Sequence, residues 1–505
     1  MSIRSSGQVD NSHAHYSPTD ERHKPAYRPP TLLVLLGLAT EIVYLISFAL
    51  RFFLPDHYST FTDLGGWTQY RPSAFVSFIV SILALFVLYW LAFSLSRKET
   101  GTATLPMVVG FGVLFALTMS LMYPVTATDI FGYIVRVRIL TVHHANPFTA
   151  LPSAFPQDPF FRYIGGWKDW PTPYGPLFVL LGAVPSFLGS DSLMLNLLLF
   201  KGLSLASYMG NIALLYVILR QSAPKMIVPA ILFYAWNPLV LFEALGNGHN
   251  DVAMMFFVLL AFYLMVTNHR EAAVVALVAS ILVKYITVLL LPLILLYALN
   301  SYPSWRTRLV FLARSLVASA ILVVLVYSPF WQGRATLTGF LGQADIFISS
   351  LPTVIMLLLQ QWFGTSASAT VTKGLVGIAF LAIYLWLIKD LKRSFQQYML
   401  VGAEILFAYL VVACAQFESW YVIWPITLAA LAVQGRITEQ VTALSFGALL
   451  SVALFAYVWP WTQAGFLTMN VAAVSLILLP PLVLWLFRST TLWKANKADH
   501  GIRAI

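Results

Sequence analysis

The chain has 505 residues and a net charge of +10, from 30 Lys and Arg against 20 Asp and Glu; 59% of its residues are hydrophobic and only 10% are charged. Soluble domains carry about 25% charged residues, so a water-surfaced cytosolic enzyme is excluded, as is extended disorder over the bulk of the chain. No basic–aromatic cluster of the nucleic-acid-binding kind occurs, and the positive balance is that of a membrane protein with basic cytoplasmic loops.

Residues 1–30 are polar, lack the apolar stretch of a signal peptide, and read as a disordered cytoplasmic tail. Apolar runs follow at 31–50, 73–96, 105–123, 193–219, 226–245, 252–268, 271–283, 286–299, 309–329, 371–388, 401–415, 420–433, 441–459 and 466–487. A hydrocarbon core takes about 20 apolar residues per helix, so the expected fold is all-α: a polytopic transmembrane bundle of about 13–14 helices over 31–487, followed by a cytoplasmic tail at 488–505. The shorter runs 175–188 and 352–363 read as interfacial or re-entrant pieces. With the N-terminus inside, 19 of the 30 Lys and Arg fall in cytoplasmic segments, which puts both termini in the cytoplasm. Two long loops, about 124–192 and 330–370, then lie outside. The single cysteine, Cys414, precludes an intramolecular disulfide.

Isolated polar residues cluster on that outer side. Asp129 stands where an apolar helix reaches the surface, a position that suits a general base; the competing reading is a cap for a helix over 129–142. Arg136 and Arg138 are two apart, so at most one shares a helical face with Asp129; either fits a lipid phosphate or an ordinary headgroup. Adjacent His143 and His144 diverge and do not make a metal site. Trp170 and Tyr174 offer aromatic platforms for a sugar or an interfacial belt, with Pro176 opening a helix. Glu243 lies in an apolar run, and Asn247, His249, Asn250 and Asp251 crowd the turn after it, as a hydrogen-bonding shelf or as helix caps. Lys284 splits a long apolar run into two short helices and reaches an anionic headgroup at their junction, or merely snorkels. Glu418 and Trp420 occupy another outer hairpin, as cleft lining or belt.

The ordered set Asp129-Ile-Phe-Gly-Tyr133, Asn146-Pro-Phe148, Pro173-Tyr-Gly-Pro-Leu177, Trp236-Asn-Pro238, Gly246-Asn-Gly-His-Asn-Asp251, Val283-Lys-Tyr285 and Trp420-Tyr421 with Trp424-Pro425 resembles the GT-C superfamily of membrane glycosyltransferases. It is most similar to the bacterial polyprenyl-phosphate-mannose-dependent α-mannosyltransferases. One departure is Gly132, where many relatives carry a basic residue.

The resemblance implies an inverting transfer on the outer face of a bacterial plasma membrane, from a polyprenyl-phosphate sugar, mannose by preference, to a saccharide or glycolipid acceptor. It implies Asp129 as catalytic base and neither cofactor nor metal. Arg136, Arg138 and Lys284 then fall to the donor phosphate. Tyr133, Asn146, Tyr174, Glu243, Asn247, His249, Asn250, Asp251, Glu418 and Trp420 fall to sugar and acceptor. A lipid-linked-sugar flippase or other transporter is the alternative from another class. It calls for polar groups spread from face to face, whereas these gather at one end.

Overall fold

The computed structural model describes residues 29–98, 102–389, 391, 394–433 and 435–502, with side chains for 31–487 of these. The expected N-terminal tail therefore lies outside the described residues, apart from its last two. The described residues form helices and no strand; the only pairing outside helices is three isolated bridges.

Each apolar run of the sequence becomes a helix or a broken helix, but not each is a full span. Eight helices are long and apolar enough to cross a membrane, or nine if Pro224–Ala235 and Pro238–Gly246, bent by 48°, count as one. Helices Leu105–Ser120 and Asp251–Val266 have 16 residues each, about 24 Å of rise against a core of about 30 Å. Composition marks a segment as apolar; it does not distinguish a straight crossing from a short helix packed inside the bundle. The last helix, Phe466–Ile502, runs on past 487 into the expected tail.

Helix faces follow their burial. On Pro72–Ser96, Phe78, Ile82, Leu85 and Tyr89 recur at helical spacing and are buried, while Val76, Val80, Val87 and Leu91 are exposed; this is an inward face and a lipid-facing one. Breaks have local causes. Pro238 removes a backbone donor, and the Asn237 carboxamide oxygen caps the renewed helix by accepting from the Leu239 and Val240 amides. The junction at Lys284 is extended backbone (φ −154°, ψ 124°) between Arg270–Val283 and a 3₁₀ turn at Tyr285–Leu290, as the split of that apolar run predicts.

The first long loop holds helices Asp129–Thr141 and Pro176–Gly189 with 3₁₀ turns between them. Arg138 ties it together. Its Nε donates to both carboxylate oxygens of Asp158 (3.2 and 3.1 Å), Nη1 to the Ser190 carbonyl (2.7 Å) and Nη2 to Asp191 (2.9 Å). His143 Nε2 also meets Asp158, at 2.7 Å. Arg138 as a phosphate ligand is thus corrected: its charge is matched within the loop. Asn146 is corrected likewise. Its Nδ2 donates to the Phe330 carbonyl (2.8 Å) and its Oδ1 accepts from the Phe148 amide (3.0 Å), which ties the two long loops together and gives the side chain a structural role.

The second loop packs on the first, where a Cβ on Gly339 would come within 2.2 Å of the Thr172 carbonyl. It also bonds to the 414–418 segment through Ile348 N to Ala415 O (3.1 Å) and Phe417 N to Ile348 O (3.0 Å). Asp158 and Asp191 make a direct stability comparison, being 6% and 75% exposed. Asp158→Ala is expected to lower the thermal midpoint in detergent, at a cost of about 3 kcal/mol. Asp191→Ala costs roughly 0–1 kcal/mol. Equal shifts for the two would contradict the assignment.

Candidate active site

Asp129 is the first residue of its helix. The preceding Thr128 makes no side-chain cap bond, and the Asp129 Oδ1 accepts instead from the Tyr174 hydroxyl at 3.3 Å. The capping alternative therefore fails, and a half-buried carboxylate is left with an accessible edge. Tyr133 and Arg136 follow on the same helical face, while Arg138 points away into the loop. Arg136 is 5% exposed, its Nη1 lies 3.4 Å from the Gly132 carbonyl, and its Nε has no hydrogen-bond partner. Burial lowers the pKa of this guanidinium, and neighbouring Tyr174 and Asp129 offset part of that effect; it stays charged all the same. Gly132 explains itself here, because a Cβ would sit 2.9 Å from Nη1. Glycine gives the arginine room to fold back along its own helix.

Tyr174 is held by a close backbone approach. The Gly175 amide donates to the Val283 carbonyl at 3.0 Å, and a Cβ on Gly175 would lie 2.0 Å from the Leu282 carbonyl. This lays the Pro173–Pro176 stretch against the residue before Lys284. The Tyr174 ring meets Tyr133 edge-on, with centroids 4.9 Å apart.

The Glu243–Asp251 turn supplies two fully buried carboxylates, each with at least one partner from elsewhere in the chain. Glu243 accepts from Asn247 Nδ2 (2.7 Å) and Ser419 Oγ (2.6 Å). His249 Nε2 lies 3.4 Å from it without hydrogen-bond geometry. Asp251 Oδ1 accepts from Lys284 Nζ (2.8 Å) and Trp424 Nε1 (2.5 Å), and Lys284 Nζ lies over the Tyr421 ring at 4.5 Å. Lys284 is therefore anchored rather than snorkelling freely. Gly248 takes a positive φ of +80°, the left-handed conformation that the turn needs. His249 stacks on Trp420 with ring centres 3.8 Å apart, and its Nδ1 is 3.4 Å from the Tyr133 hydroxyl. Asn250 stands at the start of helix Asp251–Val266 but makes no cap bond. Asn247 Oδ1, both amide atoms of Asn250, His249 Nε2 and Asp251 Oδ2 are buried without hydrogen-bond partners. Buried polar atoms in folded proteins are nearly always paired, so a row of unpaired donors and acceptors within one turn sets this segment apart.

Glu418, half-buried between two apolar helices, accepts from Gln416 Nε2 at 3.0 Å. Desolvation pushes its carboxyl up to about 8; the Gln416 bond opposes this, the charges of Asp129 and Glu243 add to it, and Lys284 opposes it. Burial thus favours its protonated form at neutral pH. The structure thus gathers Asp129, Tyr133, Arg136, Tyr174, Glu243, Asn247, His249, Asn250, Asp251, Lys284, Glu418 and Trp420, and leaves out Arg138 and Asn146. Sequence reasoning missed Ser419 as a partner of Glu243 and placed Trp424 only within the family motif, without its bond to Asp251.

The Glu418 carboxyl has a stability consequence. The folded chain keeps that proton up to about pH 8, whereas an unperturbed carboxyl loses it near 4.5. Wild-type protein should therefore lose stability relative to Glu418→Gln as pH rises from about 5 to about 8, and level off above. Thermal midpoints across that range measure it, and parallel curves would contradict the buried-acid assignment.

A family model described as "Alpha-(1->6)-mannopyranosyltransferase, N-terminal domain" matches residues 34–300, more than half of the chain. Alpha-(1->6)-mannopyranosyltransferase A of Mycobacterium tuberculosis is 24% identical over 380 residues, 70% of this chain and 70% of the relative. The protein of the same name from Corynebacterium glutamicum is 22% identical over 193 residues, 37% of this chain and 39% of the relative. The matched region contains Asp129, Arg136, the 243–251 turn and Lys284. This multi-pass membrane protein belongs to the alpha-(1->6)-mannopyranosyltransferase family.

Proposed function

We propose that the chain is a mannosyltransferase that moves a mannosyl group, with inversion, from a polyprenyl-phosphate donor to a hydroxyl of a saccharide or glycolipid acceptor on the extracytoplasmic face. One observation carries the reading. A single helix face presents an accessible carboxylate, Asp129, and two turns on a buried guanidinium, Arg136, with no carboxylate among the described residues within ion-pairing distance. A base beside an uncompensated cation suits a displacement in which a proton is removed and a phosphate departs. The relatives' names supply the sugar, and the basic bias of the short loops supports the outer face, with both termini inside. A lipid must carry the sugar there, because nucleotide sugars do not reach that side.

Asp129 takes the proton of the acceptor hydroxyl as its oxygen attacks the anomeric carbon. The bond from that carbon to the phosphate oxygen breaks, and the electron pair leaves with the lipid phosphate, which gains a negative charge. One displacement inverts the centre. Arg136 meets the growing charge most directly, since Lys284 is already matched by Asp251. Asn247, His249, Asn250 and Asp251 orient sugar hydroxyls through their unpaired atoms, and Tyr174 holds the base.

Protein in nanodiscs, given radiolabelled polyprenyl-phosphate mannose and saccharide acceptors, tests this. Wild type should transfer label, while Asp129→Asn should be about a thousandfold slower with unchanged membrane insertion. Normal turnover in that variant would remove Asp129 as the base. Labelled lipid crossing the bilayer without transfer would favour the transporter. Among the cations, Arg136→Met should cost about a hundredfold and Lys284→Met less. The reverse order would contradict the charge argument.

A further inference from the structure

Lys201 takes no part in the chemistry proposed above, yet it is a fully enclosed cation near the site. It lies on the 30-residue helix Leu193–Ser222 and is 1% exposed. Its Nζ donates to the carbonyls of Met122 (2.7 Å), Leu245 (2.9 Å) and Gly246. Three acceptors match the three N–H bonds of an ammonium, and no carboxylate among the described residues lies within ion-pairing reach of it. The three carbonyls come from two helix ends. Met122 follows helix Leu105–Ser120, and Leu245 and Gly246 close the π turn Leu241–Gly246. C-terminal carbonyls carry the negative pole of a helix, so one buried cation draws two such poles together.

What these ends lead to gives the contact its meaning. Seven residues after Met122 comes Asp129, and directly after Gly246 comes the Asn247–Asp251 turn with its unpaired polar atoms. The two strands of chain touch closely, since a Cβ on Gly246 would lie 2.6 Å from the Met122 methyl. A second rung, Asn247 Nδ2 to Thr126 Oγ1 at 2.6 Å, crosses between them. We propose that Lys201 is a positioning residue: by clasping Met122 to Leu245 and Gly246 it sets the distance between the base Asp129 and the hydroxyl-binding turn Asn247–Asp251. The proposal rests on the mannosyltransferase reading for its catalytic consequence, though not for the clasp itself. A misplacement of about 1 Å between reacting groups can cost about a hundredfold in rate.

Full-length Lys201→Met protein in nanodiscs tests it, with polyprenyl-phosphate mannose as donor probe. Because Lys201 touches no substrate, kcat should fall about ten- to a hundredfold while donor KM changes little, with a monodisperse elution profile. In parallel, hydrogen–deuterium exchange should accelerate in segments 122–131 and 245–251 and not in helices remote from them. Wild-type kcat in the variant overturns the proposal, as does unchanged exchange in both segments. A uniform loss in which activity tracks the folded fraction, or failure to recover folded protein from Lys201→Met and the milder Lys201→Gln, also overturns it, since the lysine would then serve folding alone. Wild-type protein inactive with the probe would sink the mannosyl-transfer reading, and the exchange pattern would still report on the clasp.

Discussion

A carboxylate buried in a low-dielectric interior must be paired, and that requirement organises this site. Glu243 and Asp251 are fully buried, and neither finds its main partners within its own helix. Glu243 draws Ser419 from a segment far along the chain, and Asp251 draws Lys284 and Trp424 from two others. Isolated charges in such surroundings are costly, whereas well-packed apolar replacements are often neutral or better. The pairs therefore fix geometry more than they add stability. Each brings a catalytic or cationic candidate to a defined place: Lys284 at the end of its helix, Trp420 and Glu418 beside His249 and Asp129.

The family resemblance and the site do not share a boundary. The matched region ends at residue 300, yet Glu418, Ser419, Trp420 and Trp424 reach the same cluster from beyond it, and the second long loop bonds to the segment that carries them. The N-terminal part of the chain holds Asp129, Arg136, Lys284 and the polar turn. The later helices wall this arrangement and supply Glu418. Cleaving function from one half or the other would leave buried carboxylates without partners.

Much of this was legible from local pattern. Helical periodicity separated Arg136 from Arg138, the interrupted apolar run located the junction at Lys284, and Pro176 marked a helix start. The capping readings for Asp129 and Asn250 were equally open in the sequence and failed only once hydrogen bonds were visible. What stayed hidden depends on partners distant in the chain. Arg138 is neutralised by Asp158 and Asp191, 20 and 53 residues away, and no spacing rule reveals that. Asn146 is tied to the Phe330 carbonyl, 184 residues on. Gly132 looked like a gap in a motif until Arg136 was seen folding over it. The number of full crossings could not be read either, because short helices shielded by protein are as apolar as those that meet lipid.

The proposed chemistry requires the Asp129 loop to face the extracytoplasmic side, where only a lipid delivers the sugar. Gly166, exposed on that loop with open space around an added Cβ, is a benign place for a reporter. Gly166→Cys in a Cys414→Ala background, treated in intact cells with a membrane-impermeant maleimide, measures the side directly. Labelling from outside, without permeabilisation, is the expected result. Labelling only after the membrane is opened would put the candidate base in the cytoplasm and contradict transfer from a lipid-phosphate sugar on the outer face.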